Sequence, residues 1–211
     1  MKQVAVIQAR MGSSRLPGKV LADIEGQSML GRVVERVRRI PGLCEVVVAT
    51  TVAPQDDIIV EECGRICAPV FRGSEDDVLE RYHCASLAHK AEAVVRVTSD
   101  CPLVDPFESG KVVDAFLAEA PDLAANDLKA TYPLGLGTEV ISAAVLDLAW
   151  REATKEYESQ HVTPYIFQHP ERFRLVNVES GGRNHTGREG LRCRCGEVTD
   201  LHRRDYNPLL K

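Results

Sequence analysis

Short, wholly apolar runs alternate along this chain with longer stretches in which apolar residues recur every three or four positions. Val4-Ala5-Val6-Ile7 and the run from Glu45 to Thr51 are unbroken and bounded by polar residues, as parallel strands buried on both faces require. Pro69-Val70-Phe71 and Ala93 to Val97 read the same way. Between them, Leu30, Val33, Val34 and Val37 mark the apolar face of a helix from Met29 to about Ile40, capped by Ser28 and stopped by Pro41-Gly42. Helices are expected from about Asp56 to Ile66 and from Glu75 to about Lys90, the second opened by Glu75, Asp76 and Asp77 near its positive end. Four strands alternating with three helices predict an α/β fold, a mostly parallel central sheet with helices on both faces.

The pattern loosens afterwards. A helix from about Phe107 to Ala120 leads into a polar stretch through Asn126 and Asp127, and Thr131 to Thr138 is loop chemistry. A brief strand at Glu139-Val140-Ile141, a helix from about Ser142 to Ala153, and a helix beginning at His161 and running through Phe167 are expected, with Pro164 in a first turn. Phe173 to Val178 reads as a strand, Gly181 to His185 as a mobile loop, and Leu191 to Cys195 as a late strand before a short helix. The 211 residues suit a single domain over residues 1–211, less regular over about 127–190.

A net charge of −5 argues against a general nucleic-acid binder, so any anion binding must be local. No apolar run is long enough to span a bilayer and no signal peptide is evident, which predicts a cytoplasmic protein with no membrane partner. Seven cysteines without an even framework point to reduced thiols. Cys63 and Cys67 could share a helix face and Cys193 and Cys195 a strand face, but with no two-residue spacing or histidine pair, buried apolar thiols are the better reading than zinc ligands.

The strongest chemical signal hangs on the end of the first strand. Gln8-Ala9-Arg10-Met11-Gly12-Ser13-Ser14-Arg15-Leu16-Pro17-Gly18-Lys19 combines three cations, two glycines and two serines, which suits a polyphosphate cradle. An ordinary strand-end turn is the alternative, and position at a strand's carboxyl end favours the cradle. Five residues separate Gly12 from Gly18 and Val20 follows Lys19, so this is not a Walker loop. A dinucleotide fingerprint fails too, since Gly12 lacks its partner glycine and Pro17 interrupts the helix. Asp100, just beyond the strand ending at Thr98, faces the same region and is the expected metal ligand, unless it caps the turn before Pro102.

These residues resemble the opening signature of the cytidylyltransferases that make CMP-activated acidic sugars, and are closest to the spore-coat polysaccharide branch. The similarity continues through Phe71 to Tyr82, through Arg96 to Pro106 and through His161 to Ile166. It implies a GT-A-like nucleotidyltransferase fold, CTP and Mg²⁺ as substrate and cofactor, and a small sugar-acid or sugar-like acceptor in surface polysaccharide biosynthesis. A homodimer is implied as well. By resemblance, Ala9, Arg10, Gly12, Ser13, Arg15 and Lys19 hold the triphosphate, with Arg72 and Asp76 beside the nucleotide. Lys19, Arg10 and Asp100 serve catalysis, Asp100 binds the metal, and Arg81, Tyr132, Glu139 and His161 lie on the acceptor side. His161 is the candidate base, or else a packed cap. Two positions depart from the pattern: Gly137 and Gly196 stand where relatives carry acids, so the resemblance leaves the metal site to Asp100 alone, with Glu197 or Asp200 recruited, or without a complete site. The rival readings are another nucleotidyl- or glycosyltransferase on the same sheet, and a catalytically silent nucleotide-binding partner.

Overall fold

The computed structural model describes residues 1–13, 16–129 and 131–181. Among these, seven strands form one sheet: β1 (Gln3–Gln8), β4 (Glu45–Thr51), β5 (Val70–Gly73), β6 (Ala93–Thr98), β7 (Leu123–Ala125), β8 (Glu139–Ser142) and β9 (Leu175–Asn177). Their spatial order is β5-β4-β1-β6-β8-β7-β9, and β2 (Asp23–Ile24) and β3 (Gln27–Ser28) make a separate small hairpin. β5, β4, β1 and β6 are mutually parallel, and β8 runs antiparallel to both of its neighbours.

The helices are α1 (Met29–Val37), α2 (Asp57–Arg65), α3 (Val78–Ala88), α4 (Pro106–Glu119), α5 (Ala143–Glu152), α6 (Glu156–Gln160) and α7 (Pro164–Gln168). Strand alternation divides the apolar residues between two cores. Ala5, Ile7, Val48 and Val95 pack under α1, α2 and α4, while Val4, Val6, Val47 and Val94 pack under α3, α5 and α7. The fully buried runs of β1 and β4 thus lie between helical layers, as their composition requires.

After β1 the chain steps outward to β4 and β5, then crosses back to lay β6 on the other side of β1. Two connections therefore leave adjacent parallel strands in opposite directions, opening a crevice above β1 and β6. The basic loop and Asp100 leave from those two strand ends.

Several expected elements are corrected. β7 falls within what reads as a helix end and polar stretch, and its Leu-Ala-Ala has neither alternation nor β-branched residues to announce it. α3 begins at Val78 rather than Glu75, because Asp77 accepts from Glu80 N at 2.7 Å and caps it, while Ser74 accepts from Asp77 N at 3.0 Å. The helix expected from His161 is two helices: His161 closes α6 in an extended conformation, and Pro164 opens α7. Residues Lys19–Leu21 form a 3-10 turn directly after the basic loop. Cys67 lies beyond α2 at φ +51°, exposed, while Cys63 is buried, so the two share no helix face.

Candidate active site

Asp56 anchors the base of the basic loop. It is 1% exposed, and its carboxylate accepts from Met11 N at 2.8 Å and from Thr51 N at 3.3 Å, tying the loop to the end of β4. Ala9 N donates to Ala49 O at 3.1 Å, which carries the β1–β4 pairing to the brink of the loop. Met11 O then accepts from Ser13 N at 2.8 Å and from Gly18 N at 3.1 Å, so the loop closes on that carbonyl. Gly18 adopts φ +72°, a left-handed conformation that a side chain would strain, and delivers Lys19 into the 3-10 turn. Arg10 and Gly12 are exposed at the mouth, with Ser13 half-buried. Ser14 and Arg15 lie outside the described residues.

Lys19 Nζ donates to Asp100 Oδ2 at 2.7 Å, with only 14% and 19% of the two side chains exposed. The Asp100 side chain is thus turned to the cradle, and the turn before Pro102 closes through Cys101 N to Thr98 O instead. Burial pushes the Asp100 carboxyl up, but hydrogen bonding and charge from Lys19, with help from Thr98, outweigh it and hold the group below the usual carboxylate range. Burial likewise pushes the neighbouring Cys101 thiol up to about 11, which leaves it unreactive.

No group of three or more His, Cys, Asp or Glu placed to hold a metal occurs among the described residues. Magnesium does not need one: it keeps several waters and takes one or two carboxylates together with substrate phosphates. Asp100 beside the basic loop fits that donor set. Gly196, Glu197 and Asp200 lie outside the described residues, as do Arg183, His185, Arg188, Cys193, Cys195 and the expected late strand and helix.

The structure gives Arg72 and Arg81 heavily engaged positions. Arg72 donates to Thr51 O at 2.8 Å and Ala53 O at 3.1 Å and pairs with Asp57 at 2.7 Å, so it braces the connection from β4 to α2. Arg81 is 2% exposed and donates to Ser74 O. Burial lowers its proton affinity and the nearby Arg10 charge adds to that, which places these two cations within each other's field. Asp76 is exposed at the turn before α3. Glu75, half-buried, brings a carboxylate oxygen to 3.8 Å from where a side chain on Gly12 would begin.

On the other side of β6 lies a buried charge pair. Arg96 and Glu139 are register partners across β6 and β8, with Nη1 2.9 Å from Oε2, and Thr163 Oγ1 approaches the other Glu139 oxygen at 3.5 Å. Burial alone would weaken the Arg96 cation, yet Glu139 and Asp127 reverse the shift and keep it charged. Asn126, fully buried, pins the following loop by accepting from Thr138 N at 2.8 Å and donating to Leu136 O at 3.0 Å. Gly137 sits directly against Asp127, whose Oδ2 lies 2.8 Å from the position of an added Cβ. Tyr132 donates to Glu108 at 2.7 Å, and burial, then Glu108, raise its pKa. His161 is half-buried between α6 and α7. Arg174 donates to Glu119 O and pairs with the Glu119 carboxylate at 3.1 Å.

Asp56, Asn126 and Arg96 escaped the sequence reading as site residues. The signal for Arg96 was present, since it is the one charged residue in the otherwise apolar run from Ala93 to Val97. Asp56 and Asn126 gave no such cue, because the groups they hold, Met11 N and Thr51 N for one and Thr138 N and Leu136 O for the other, are backbone groups that no residue type announces.

The cytidylyltransferase family model matches residues 4–197. The spore coat polysaccharide biosynthesis protein SpsF of Bacillus subtilis is 36% identical over 184 residues, 83% of this chain and 74% of its own. A solved cytidylyltransferase from Leptospira borgpetersenii superposes with a TM-score of 0.82 at 32% identity, covering 86% of this chain and 77% of that one. CMP:2-keto-3-deoxy-manno-octonic acid synthetase, solved with CTP, superposes at 0.70 over 97% of this chain and 100% of its own, and at 19% identity it supports the nucleotidyltransferase fold alone. With the family match spanning nearly the whole chain and the basic loop and Asp100 meeting at the switch point of the sheet, this chain belongs to the cytidylyltransferase family.

Proposed function

We propose that the protein transfers CMP from CTP to a small sugar-acid or sugar-like acceptor, with Mg²⁺ as cofactor, in the cytoplasm and in the service of surface polysaccharide synthesis. The observation that carries the reading is the Lys19–Asp100 pair at 2.7 Å, which joins the basic loop to a carboxylate at the crevice where a metal ion and the phosphates would meet. An acceptor hydroxyl oxygen forms a new bond to the α-phosphorus, the bond from that phosphorus to the bridging oxygen breaks, and pyrophosphate leaves. The hydroxyl proton passes to solvent or to a nearby carboxylate.

Such a transfer depends on positioning and on cations that offset charge at the transferring group. The Gly12 backbone N–H and the Ser13 hydroxyl, with Arg10 at the mouth, would hold the triphosphate. Lys19 would turn from Asp100 to the phosphate oxygens, and Asp100 would take the cation. The metal supplies charge neutralisation across the phosphates when bound. Glu139, fixed by Arg96, and Tyr132, fixed by Glu108, frame the acceptor side.

Calorimetry of CTP, UTP, GTP and ATP with Mg²⁺, followed by pyrophosphate release over a panel of acidic sugars, tests the reading. Preferential CTP binding and CTP-dependent release are expected, with release falling strongly in Lys19→Ala. Equal affinity for all four nucleotides, or full release by Lys19→Ala, would overturn it.

A further inference from the structure

A cleft of about 370 Å³ opens between α2 and the segment that carries the β2–β3 hairpin, and none of its described lining residues belongs to the site above. α2 turns Ile58, Glu61, Glu62 and Arg65 toward it, positions three, four and seven apart that share one helical face. The other wall supplies Leu21 and Asp23. Leu21 lies two positions beyond Lys19, and α2 starts one position beyond Asp56, so the two walls run directly into the two anchors of the basic loop.

Two of the charges in the cleft answer each other. Glu62, 6% exposed, accepts from Ser28 Oγ and pairs with Arg65 at 3.0 Å, which ties the hairpin to the helix. Asp23 and Glu61 are left, both exposed. One Asp23 oxygen accepts from Gly26 N at 3.1 Å, while Glu61 has no hydrogen-bond or ion-pair partner among the described residues. The apolar side chains are open too, with Ile58 47% exposed and Leu21 half-buried. Each wall therefore offers one carboxylate without a countercharge and one apolar side chain, in a cavity of the size that takes small molecules. No three acids converge, among the described residues, as a dedicated metal cage requires. Charge divided between two walls, with hydrocarbon on each, suits an extended cation with an apolar stem better than a point ion.

We propose that the cleft is a second binding site, for a short aliphatic diamine: one ammonium group meets Asp23, the other meets Glu61, and the methylene chain between them covers Leu21 and Ile58. The inference goes beyond the CMP-transfer reading and does not depend on it.

The test titrates putrescine, a four-carbon diamine, into the full-length protein without nucleotide at low ionic strength and follows the amine's own NMR signals. Saturable binding is expected with Kd on the order of 1 mM, since exposed ion pairs are individually weak. Glu61→Gln and Asp23→Asn should each raise Kd about threefold or more, and n-butylamine, which keeps the stem and loses one charge, should bind the wild type at least about threefold more weakly. Ile58→Ser, which keeps every charge, should weaken putrescine by about threefold as well. Glu171→Gln removes an exposed carboxylate beyond α7 and should leave Kd within about 1.5-fold. No saturable binding, an unchanged Kd in Glu61→Gln, or an equal loss in Glu171→Gln, the mark of a diffuse counterion effect, overturns the proposal. CTP binding measured on the same samples reports on the transfer reading separately, so either can fail alone.

Discussion

Replacing Gly137 by alanine probes how closely the loop before β8 packs against Asp127. The added Cβ would stand 2.8 Å from Asp127 Oδ2, 3.4 Å from its Cγ and 3.7 Å from its own Cβ. A carbon and an oxygen in contact need several tenths of an ångström more, so the carboxylate must rotate, and rotation changes its placement relative to the charge of Arg96. Overpacking of this kind costs roughly 1–3 kcal/mol. Against it, Gly137 has no positive φ, so alanine gains about 0.4–1 kcal/mol by restricting the unfolded chain. The net expectation is a loss of about 0.5–2 kcal/mol, or roughly 1–8 °C in Tm for a chain of this size. Urea unfolding of Gly137→Ala, Asp127→Ala and the double variant completes a cycle in which the double variant recovers most of the steric loss. A coupling energy indistinguishable from zero, or a Gly137→Ala protein more stable than wild type, would refute the contact. Gly137→Asp should fare worse than alanine, because two carboxylates would then compete for one space. Position 137 already has an acid beside it, and adding another is not a repair.

Asp100→Asn removes a negative charge from the cradle and frees Lys19, so CTP binding without metal should tighten by about three- to tenfold while the enhancement by Mg²⁺ disappears; calorimetry with and without chelator reads both. Because the Asp100 pKa is depressed, the Lys19 pair contributes stability that is present above the unfolded carboxyl value and is lost as pH falls through the lower folded value. Mg²⁺-dependent CTP affinity should therefore show no loss attributable to Asp100 down to about pH 5, and a titration midpoint near pH 6 for this residue would contradict the assigned environment. Asp56→Ala strands the Met11 and Thr51 donors, so a stability loss of about 2–4 kcal/mol and weaker CTP binding are expected, whereas Asp57→Ala, at an exposed site, should cost under about 1 kcal/mol in urea unfolding.

The parallel half of the sheet was legible because β1, β4 and β6 are buried on both faces and their composition shows it. The basic loop stood out for a different reason: cations, glycines and serines crowd a strand end, and Pro17 follows them. β7 was hidden by length, since three residues leave no room for periodicity and alanine carries no strand preference. The reversal of β8 was hidden because direction is a property of the connection rather than of the strand's residues. Arg72 and Arg81 carry the right charge in the right segment, but whether a guanidinium meets a ligand or braces a backbone depends on carbonyls such as Thr51 O and Ser74 O that no motif records.

The residues that close the cradle are far apart in the order of synthesis. Lys19 meets Asp100 across 81 positions and Met11 meets Asp56 across 45. During translation the basic loop emerges first and stays unanchored until β4 and its following turn arrive, then lacks its carboxylate until β6 is inserted beside β1. A nascent chain truncated before residue 100 would present the loop without the carboxylate that pairs with Lys19, a species better suited to capturing polyanions indiscriminately. Selective nucleotide binding is accordingly a late acquisition of folding, available only once the strand inserted back across the sheet has reached its place.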